Sequence, residues 1–225
     1  MARIATNAQN SSAQPASLRD RQKEFTRKQL LDAAHEEFAS QGYVNTTVED
    51  IVARAGASRA TFYMHFESKA QMVAEVAARL QPMILECCQR LDAALTAGSR
   101  SDLRGWMEYA LNWYERYGGC VAAWEQGIAL ELDTRMSVEG IFSHLPDVMT
   151  SYLDRWPPEQ RAPARLRIVL LGCQLERCFS TSPPGSWSDS QRTMFLDVMT
   201  DLWFDALRVP STRSARRAPR AAALR

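Results

Sequence analysis

Residues 46–69 read TTVEDIVARAGASRATFYMHFESK, and this stretch decides the fold. Thr46 and Thr47 each stand three residues ahead of an acid, Glu49 and Asp50, which is the spacing of a capping box. Ile51, Val52 and Ala55 follow on one helical face, and Gly56 supplies a stop. Ser58 is placed to cap a second short helix running to Phe66, and Ser68 to cap a third that begins at Lys69. A short capped helix, the turn Ala55-Gly56-Ala57 and a second short helix have the anatomy of a helix-turn-helix.

Outward from this stretch the pattern stays helical. Between Arg19 and Gln41, Phe25, Leu30, Leu31, Ala34 and Phe38 recur at helical intervals, and Gly42 sits where a helix commonly stops. Residues 1–18 are rich in Ala, Asn, Gln and Ser without apolar period and read as a disordered arm. On the C-terminal side a long helix is expected from Lys69 to about Ala97, bent near Pro82. Further helices are expected at Asp102–Tyr117, Cys120–Leu132, Val138–Trp156, Pro163–Phe179 and Ser188–Leu207. Gly118-Gly119, Pro157-Pro158 and the loop Ser180 to Ser186 are read as the breaks. The expectation is an all-α protein of about nine helices, with a three-helix head over 19–84, a helical body over 85–207 and a basic disordered tail over 208–225.

The formal charge of +1 hides a division along the chain. Residues 1–28 carry six Lys or Arg against Asp20 and Glu24, a net of +4. From Leu80 to Leu207 there are eleven arginines and no lysine against seventeen acids, a net of −6. A basic front on an acidic body suits a molecule that presents one end to phosphate. The tail after Leu207 holds six arginines and no acid, and reads either as a solvated segment or as a further DNA contact. The chain does not open on a signal-like start and holds no uninterrupted apolar run of about 18 residues, so the expected location is the cytoplasm, with no membrane partner. Cys87, Cys88, Cys120, Cys173 and Cys178 form no C-x-x-C pair and fit reduced thiols.

A helix enters the major groove only with small or polar residues outward and an inward face that pins it to its supports. In the helix opened by Ser58, Phe62 and Phe66 are four apart and form the inward anchor, leaving Arg59, Ala60, Thr61, Tyr63, Met64 and His65 toward the outside. Arg59 is the candidate for a guanine edge, Thr61 and Tyr63 for phosphates, and His65 and Lys69 for the backbone at the margin. Thr47, Ser58 and Ala60 complete the candidate DNA surface.

Gly42-Tyr43, Thr46-Thr47-Val48, Ile51, Ala55-Gly56, Ser58, Thr61, Tyr63, His65-Phe66 and Ser68-Lys69 together resemble the DNA-binding head of the TetR/AcrR regulators, over residues 24–84. The resemblance implies a homodimer whose body binds a small-molecule effector and, on binding it, changes the separation of two DNA-reading heads. It implies repression as the usual outcome; a dimer with a two-fold axis would read a palindromic operator, and the residues themselves do not separate repressor from activator.

In the body, Trp106, Tyr109 and Trp113 lie three and four apart on one helix face. With Trp124, His144 and Met149 they are the candidate lining of a pocket for an apolar or aromatic molecule; ordinary core packing is the other reading. Leu166, Val169, Leu170 and Cys173 on one helix and Phe195, Val198 and Leu202 on the last are the candidate dimer interface, with burial inside one subunit as the alternative. Nothing points to an enzyme: His35-Glu36-Glu37-Phe38-Ala39 lacks the second histidine of a zinc pair, and neither a phosphate-binding G-x-x-x-x-G-K-[ST] nor a G-x-S-x-G elbow is present. No metal or cofactor is expected. The competing function is a helical scaffold or interaction protein without DNA contact.

Overall fold

The computed structural model describes residues 17–131 and 144–210, and among these there is helix and turn but no strand. The helices are α1 (Leu18–Asn45), α2 (Val48–Ala55), α3 (Arg59–His65), α4 (Lys69–Ala97), α5 (Arg100–Glu131), α6 (Thr150–Leu153), α7 (Pro158–Thr181) and α8 (Asp189–Leu207). The expected N-terminal arm and basic tail lie outside the described residues, except for their innermost positions.

Local chemistry accounts for the starts in the N-terminal half. Ser17 and Thr47 close reciprocal capping boxes with Asp20 and Asp50, while Ser58 and Ser68 accept from the amides of Thr61 and Gln71. Gly42 interrupts α1 with φ 74°, a left-handed conformation that a β-carbon would strain, so the expected stop is real although helical turns resume as far as Asn45.

Three expectations for the body are corrected. The break at Gly118-Gly119 does not exist, because α5 runs through both glycines. A β-carbon on Gly119 would run into the backbone carbonyl of Ala39 in α1, and one on Gly118 into the Tyr114 ring. The pair therefore permits close packing rather than a turn. Next, α7 starts at Pro158 and absorbs Pro163. Proline at the first helical turn loses no hydrogen bond, and Pro163 lies early enough to interrupt little of the ladder. Finally, the helix expected over 138–156 is a 3-10 turn at Leu145–Val148 followed by the short α6; the part before His144 lies outside the described residues. The final helix and its Ser188 cap stand where expected.

Two apolar cores result. The head core packs Leu30, Phe38 and Tyr43 of α1 with Ile51, Phe62, Phe66 and Val73, and it also takes in Cys120, Ala123, Trp124 and Ile128 from the far half of α5. The body core packs Met107 and Leu111 of α5 with Tyr152, Ile168 and Trp203. Helices α4 and α5 each contribute to both. All five cysteines are free thiols, and burial pushes that of Cys120 up to about 12, which leaves it unreactive at neutral pH.

Candidate nucleic-acid interface

The helix-turn-helix is held from behind by side chains that the outer face does not need. Glu37, buried on α1, pairs with Arg54 of α2, and Arg54 also reaches Glu36 at 2.7 Å. Thr46 is fully buried; its hydroxyl donates to the Gly42 carbonyl at 2.7 Å. Gly56 takes the left-handed conformation at φ 62°, and the Ala57 amide closes back to the Val52 carbonyl at 2.9 Å. This fixes the turn between α2 and α3. Phe62 and Phe66 are both buried, their rings 5.7 Å apart, so the anchor expected for α3 is in place.

The outer face then follows from the helical period. Arg59, Ala60, Tyr63 and Met64 are exposed; Tyr63 is 50% accessible and Met64 76%. Arg59 pairs with Glu49 of α2 and lies 5.7 Å over the Tyr63 ring. Surface pairs of this kind hold little free energy, so Arg59 can leave Glu49 for a stronger partner. Thr47 and Ser58 are exposed, yet both hydroxyls are engaged as caps, Thr47 with Asp50 and Ser58 with Thr61. The hydrogen bonds from the Thr47 hydroxyl and amide hold the Asp50 carboxyl below the usual carboxylate range. Thr61 is half-buried.

Two candidates of the margin are placed differently from the expectation. The Lys69 ammonium donates to the carbonyls of Tyr43 and Thr46, each at 2.8 Å, and sits 4.1 Å from the Tyr43 ring centroid. It therefore fastens the turn after α1, because carbonyls left over at a helix end attract a cation. His65 is half-buried, and its Nδ1 is enclosed without a hydrogen-bond partner. Burial, reinforced by Lys23 and Arg27, holds its imidazole below the usual histidine range.

A residue within the stretch expected to form the body serves the head. Gln126 of α5 accepts the backbone amides of Tyr43 at 3.0 Å and Val44 at 3.4 Å. With Lys69 it clamps the 42–47 turn from two helices. Sequence spacing gives no sign of this, because the partners are more than eighty residues apart.

The six candidate pocket residues do not share one lining. Trp106 stacks on Trp203 at 5.2 Å and donates to the Cys87 carbonyl at 3.0 Å. Met149 is fully buried in the body core, and Trp124 belongs to the head core. Tyr109 lies under the Arg90 guanidinium at 4.5 Å, while Trp113 packs on Tyr117 at 5.3 Å. His144 is exposed and contacts Asp147 at 3.1 Å. A cavity of about 180 Å³ near Leu95, Leu103, Arg155 and Phe204 is lined by none of the six.

On the last two long helices, Leu166, Leu170, Val198 and Leu202 are exposed, at 58, 60, 52 and 49%. Val169 and Cys173 are half-buried. Phe195 packs instead within the chain, 5.7 Å from Phe179 and 4.6 Å from Trp187. Met194, 63% exposed, takes the outward place next to it.

Comparison with known proteins joins this geometry to a family. Residues 30–76 match the family described as "Bacterial regulatory proteins, tetR family". The HTH-type transcriptional regulator SrpR of Pseudomonas putida is 38% identical over 64 residues, 28% of this chain and 30% of that protein. The probable acrEF/envCD operon repressor of Escherichia coli is 38% identical over 77 residues, 34% and 33% of the two chains. The matches thus span about a third of each relative's length. A solved transcriptional regulator (TerR/AcrR family) from Aquifex aeolicus shares the fold, with a TM-score of 0.52 at 18% identity over 81% of this chain and 97% of that one. The helix-turn-helix segment over 30–76 thus matches the tetR family of bacterial regulatory proteins and is similar in sequence to several regulators, and the helical fold that extends over the body is shared with a solved regulator.

Proposed function

We propose that this protein is a homodimeric transcriptional repressor that holds a palindromic operator through α3 and releases it when a small apolar or aromatic molecule binds the body. The observation that carries the reading is the division of α3: Phe62 and Phe66 buried behind, Arg59, Ala60, Tyr63 and Met64 presented in front. A helix so held offers one cation that can fork onto a guanine and small neighbours that let it approach. Thr61 and Tyr63 are assigned to phosphates, and Thr47 and Ser58 to fixing the ends of the reading unit. The exposed row Leu166, Leu170, Met194, Val198 and Leu202 supports a two-fold contact between subunits, since a charge-free apolar row on two adjacent helices favours burial. Two heads related by that axis read half-sites about 34–36 Å apart. Release requires that effector and DNA prefer different states, so each weakens the other reciprocally.

The test is titration of a duplex, selected by the full chain from a randomised pool, with wild type and Arg59→Ala. A loss of about 1–3 kcal/mol is expected for the selected sequence, with little change for unrelated DNA. Equal affinity of the two proteins for the selected duplex removes α3 as the reader. Light scattering on Val198→Asp reports the subunit contact: wild type runs as a dimer and the variant as a monomer, because a charge in an apolar contact is costly to bury.

A further inference from the structure

The family match begins at residue 30, but α1 begins at Leu18. Three helical turns therefore precede the matched segment, and they rise about 18 Å. Every residue from Ser17 to Phe25 is exposed, and Leu30 is the first to be fully buried. A helix that buries nothing gains little from packing, so its start depends on the Ser17–Asp20 capping box. Such a stretch lacks a role in the core, and its composition indicates another one.

Arg19, Lys23 and Arg27 recur every four residues and form one row along the helix. The row leads to the end of α3. The Arg27 guanidinium lies 4.4 Å above the Phe66 ring and pairs with Glu75 of α4, which anchors the inner end. Lys23 is close enough to His65, the last residue of α3, to act on its charge together with Arg27. Of the acids of the segment, Asp20 binds Ser17 and also feels the charge of Lys23, and Glu24 acts on the charge of His65 with the opposite sign. Lys28 pairs with Asp32 at 3.4 Å, whereas Arg19, Arg21 and Lys23 take part in no ion pair among the described residues.

We propose that Arg19 and Lys23 form a second DNA contact, a basic strut on α1 that grips backbone phosphates beside the bases read by α3. The inference rests on the DNA-reading function proposed above and extends it to a surface outside the matched segment. The two cations are separated by about 6 Å of helix rise. One DNA strand presents a phosphate every 3.4 Å or so along its axis, so both cations meet charge at once. Contacts of this sort set position and strength without choosing sequence.

The test uses the full chain and a duplex selected by wild type from a randomised pool, with affinity measured by anisotropy between about 50 and 300 mM KCl. Each phosphate contact contributes about 0.9 to the slope of log affinity against log salt. The Arg19→Ala/Lys23→Ala protein should lose about 3–4 units of slope as a dimer, and reselection should return the same preferred bases. Arg177→Ala, an exposed charge on α7, should leave the slope as it was. An unchanged slope in the double variant overturns the strut, as does a changed base preference, which would make these residues readers of sequence. Vesicles with anionic headgroups provide the remaining arm: binding lost in the double variant there, with an unaltered DNA slope, would assign the strut to a lipid surface and overturn the proposal. Failure of wild type to select any duplex removes the DNA reading and the strut together, whereas loss of affinity in Arg59→Ala with an unchanged strut slope removes the strut alone.

Discussion

The head and the body are both helical, but their surfaces are finished to different degrees. In the head, α2, α3 and α4 each begin at a residue whose side chain caps them, and the outward residues of α3 are small, polar or charged apart from Met64. The body starts α6 and α7 without a side-chain cap and leaves Leu166, Leu170, Val198 and Leu202 in water. A surface closed by local hydrogen bonds is ready for a polar partner; one that leaves a leucine and valine row open is complete only against more protein. The two regions nevertheless share α4 and α5, and the head core includes four residues from the far half of α5. The comparison therefore turns on whether head and body behave as separate units or as one.

The largest effect should come from the head anchor. Phe62→Ala empties a fully buried site and costs about 3–5 kcal/mol, against about 5–15 kcal/mol for a whole domain. Because Trp124 and Ile128 of α5 pack into the same core, far-UV circular dichroism and tryptophan fluorescence should fall together in one transition at lower temperature. Two separated transitions, only one of them moved by the substitution, would show the head to be an independent unit.

A smaller effect is expected at the contact of α1 with α5. Gly119→Ala brings a β-carbon against the Ala39 backbone, which has no side-chain end to yield, and should cost about 1–3 kcal/mol in urea unfolding. Gly105→Ala, in the same helix with open space at its β-carbon, should instead stabilise by about 0.5–1 kcal/mol. Opposite signs sharpen the view that α5 is pressed onto the head. The same sign for both would break it.

This contrast also explains how much was legible in the sequence. Caps and stops at Thr47, Gly56, Ser58, Ser68 and Ser188 act within four residues, so they read correctly from neighbours alone. Gly118-Gly119 misleads because glycine serves a turn and a close helix contact equally well, and only the presence of Ala39 decides between them. Trp124 shares a helix with Trp106 and Trp113, yet α5 passes from one core to the other along its length, a fact that periodicity does not contain. The positions of Lys69 and Phe195 differ from the expectation for a further reason: flexible or large side chains turn to whichever partner the tertiary fold supplies, here two carbonyls and two aromatic rings.

The smallest effect is at Gln126, and it addresses how the two regions communicate. Its carbonyl oxygen holds the amides of Tyr43 and Val44, the second at a long 3.4 Å, so Gln126→Ala should cost only about 1 kcal/mol of stability. The turn it grips leads into Thr47 and α2, against which α3 is set, so under the proposed release by an effector a shift of α5 would reach α3 through these two hydrogen bonds. Gln126→Ala should therefore reduce the factor by which effector and DNA weaken each other more than it reduces DNA affinity itself. Gln126→Glu keeps an acceptor oxygen at the same reach and should restore both. If Gln126→Ala lowers DNA affinity as far as Arg59→Ala does while leaving the coupling factor intact, the residue supports the head alone, and α5 reports nothing from the body through this turn.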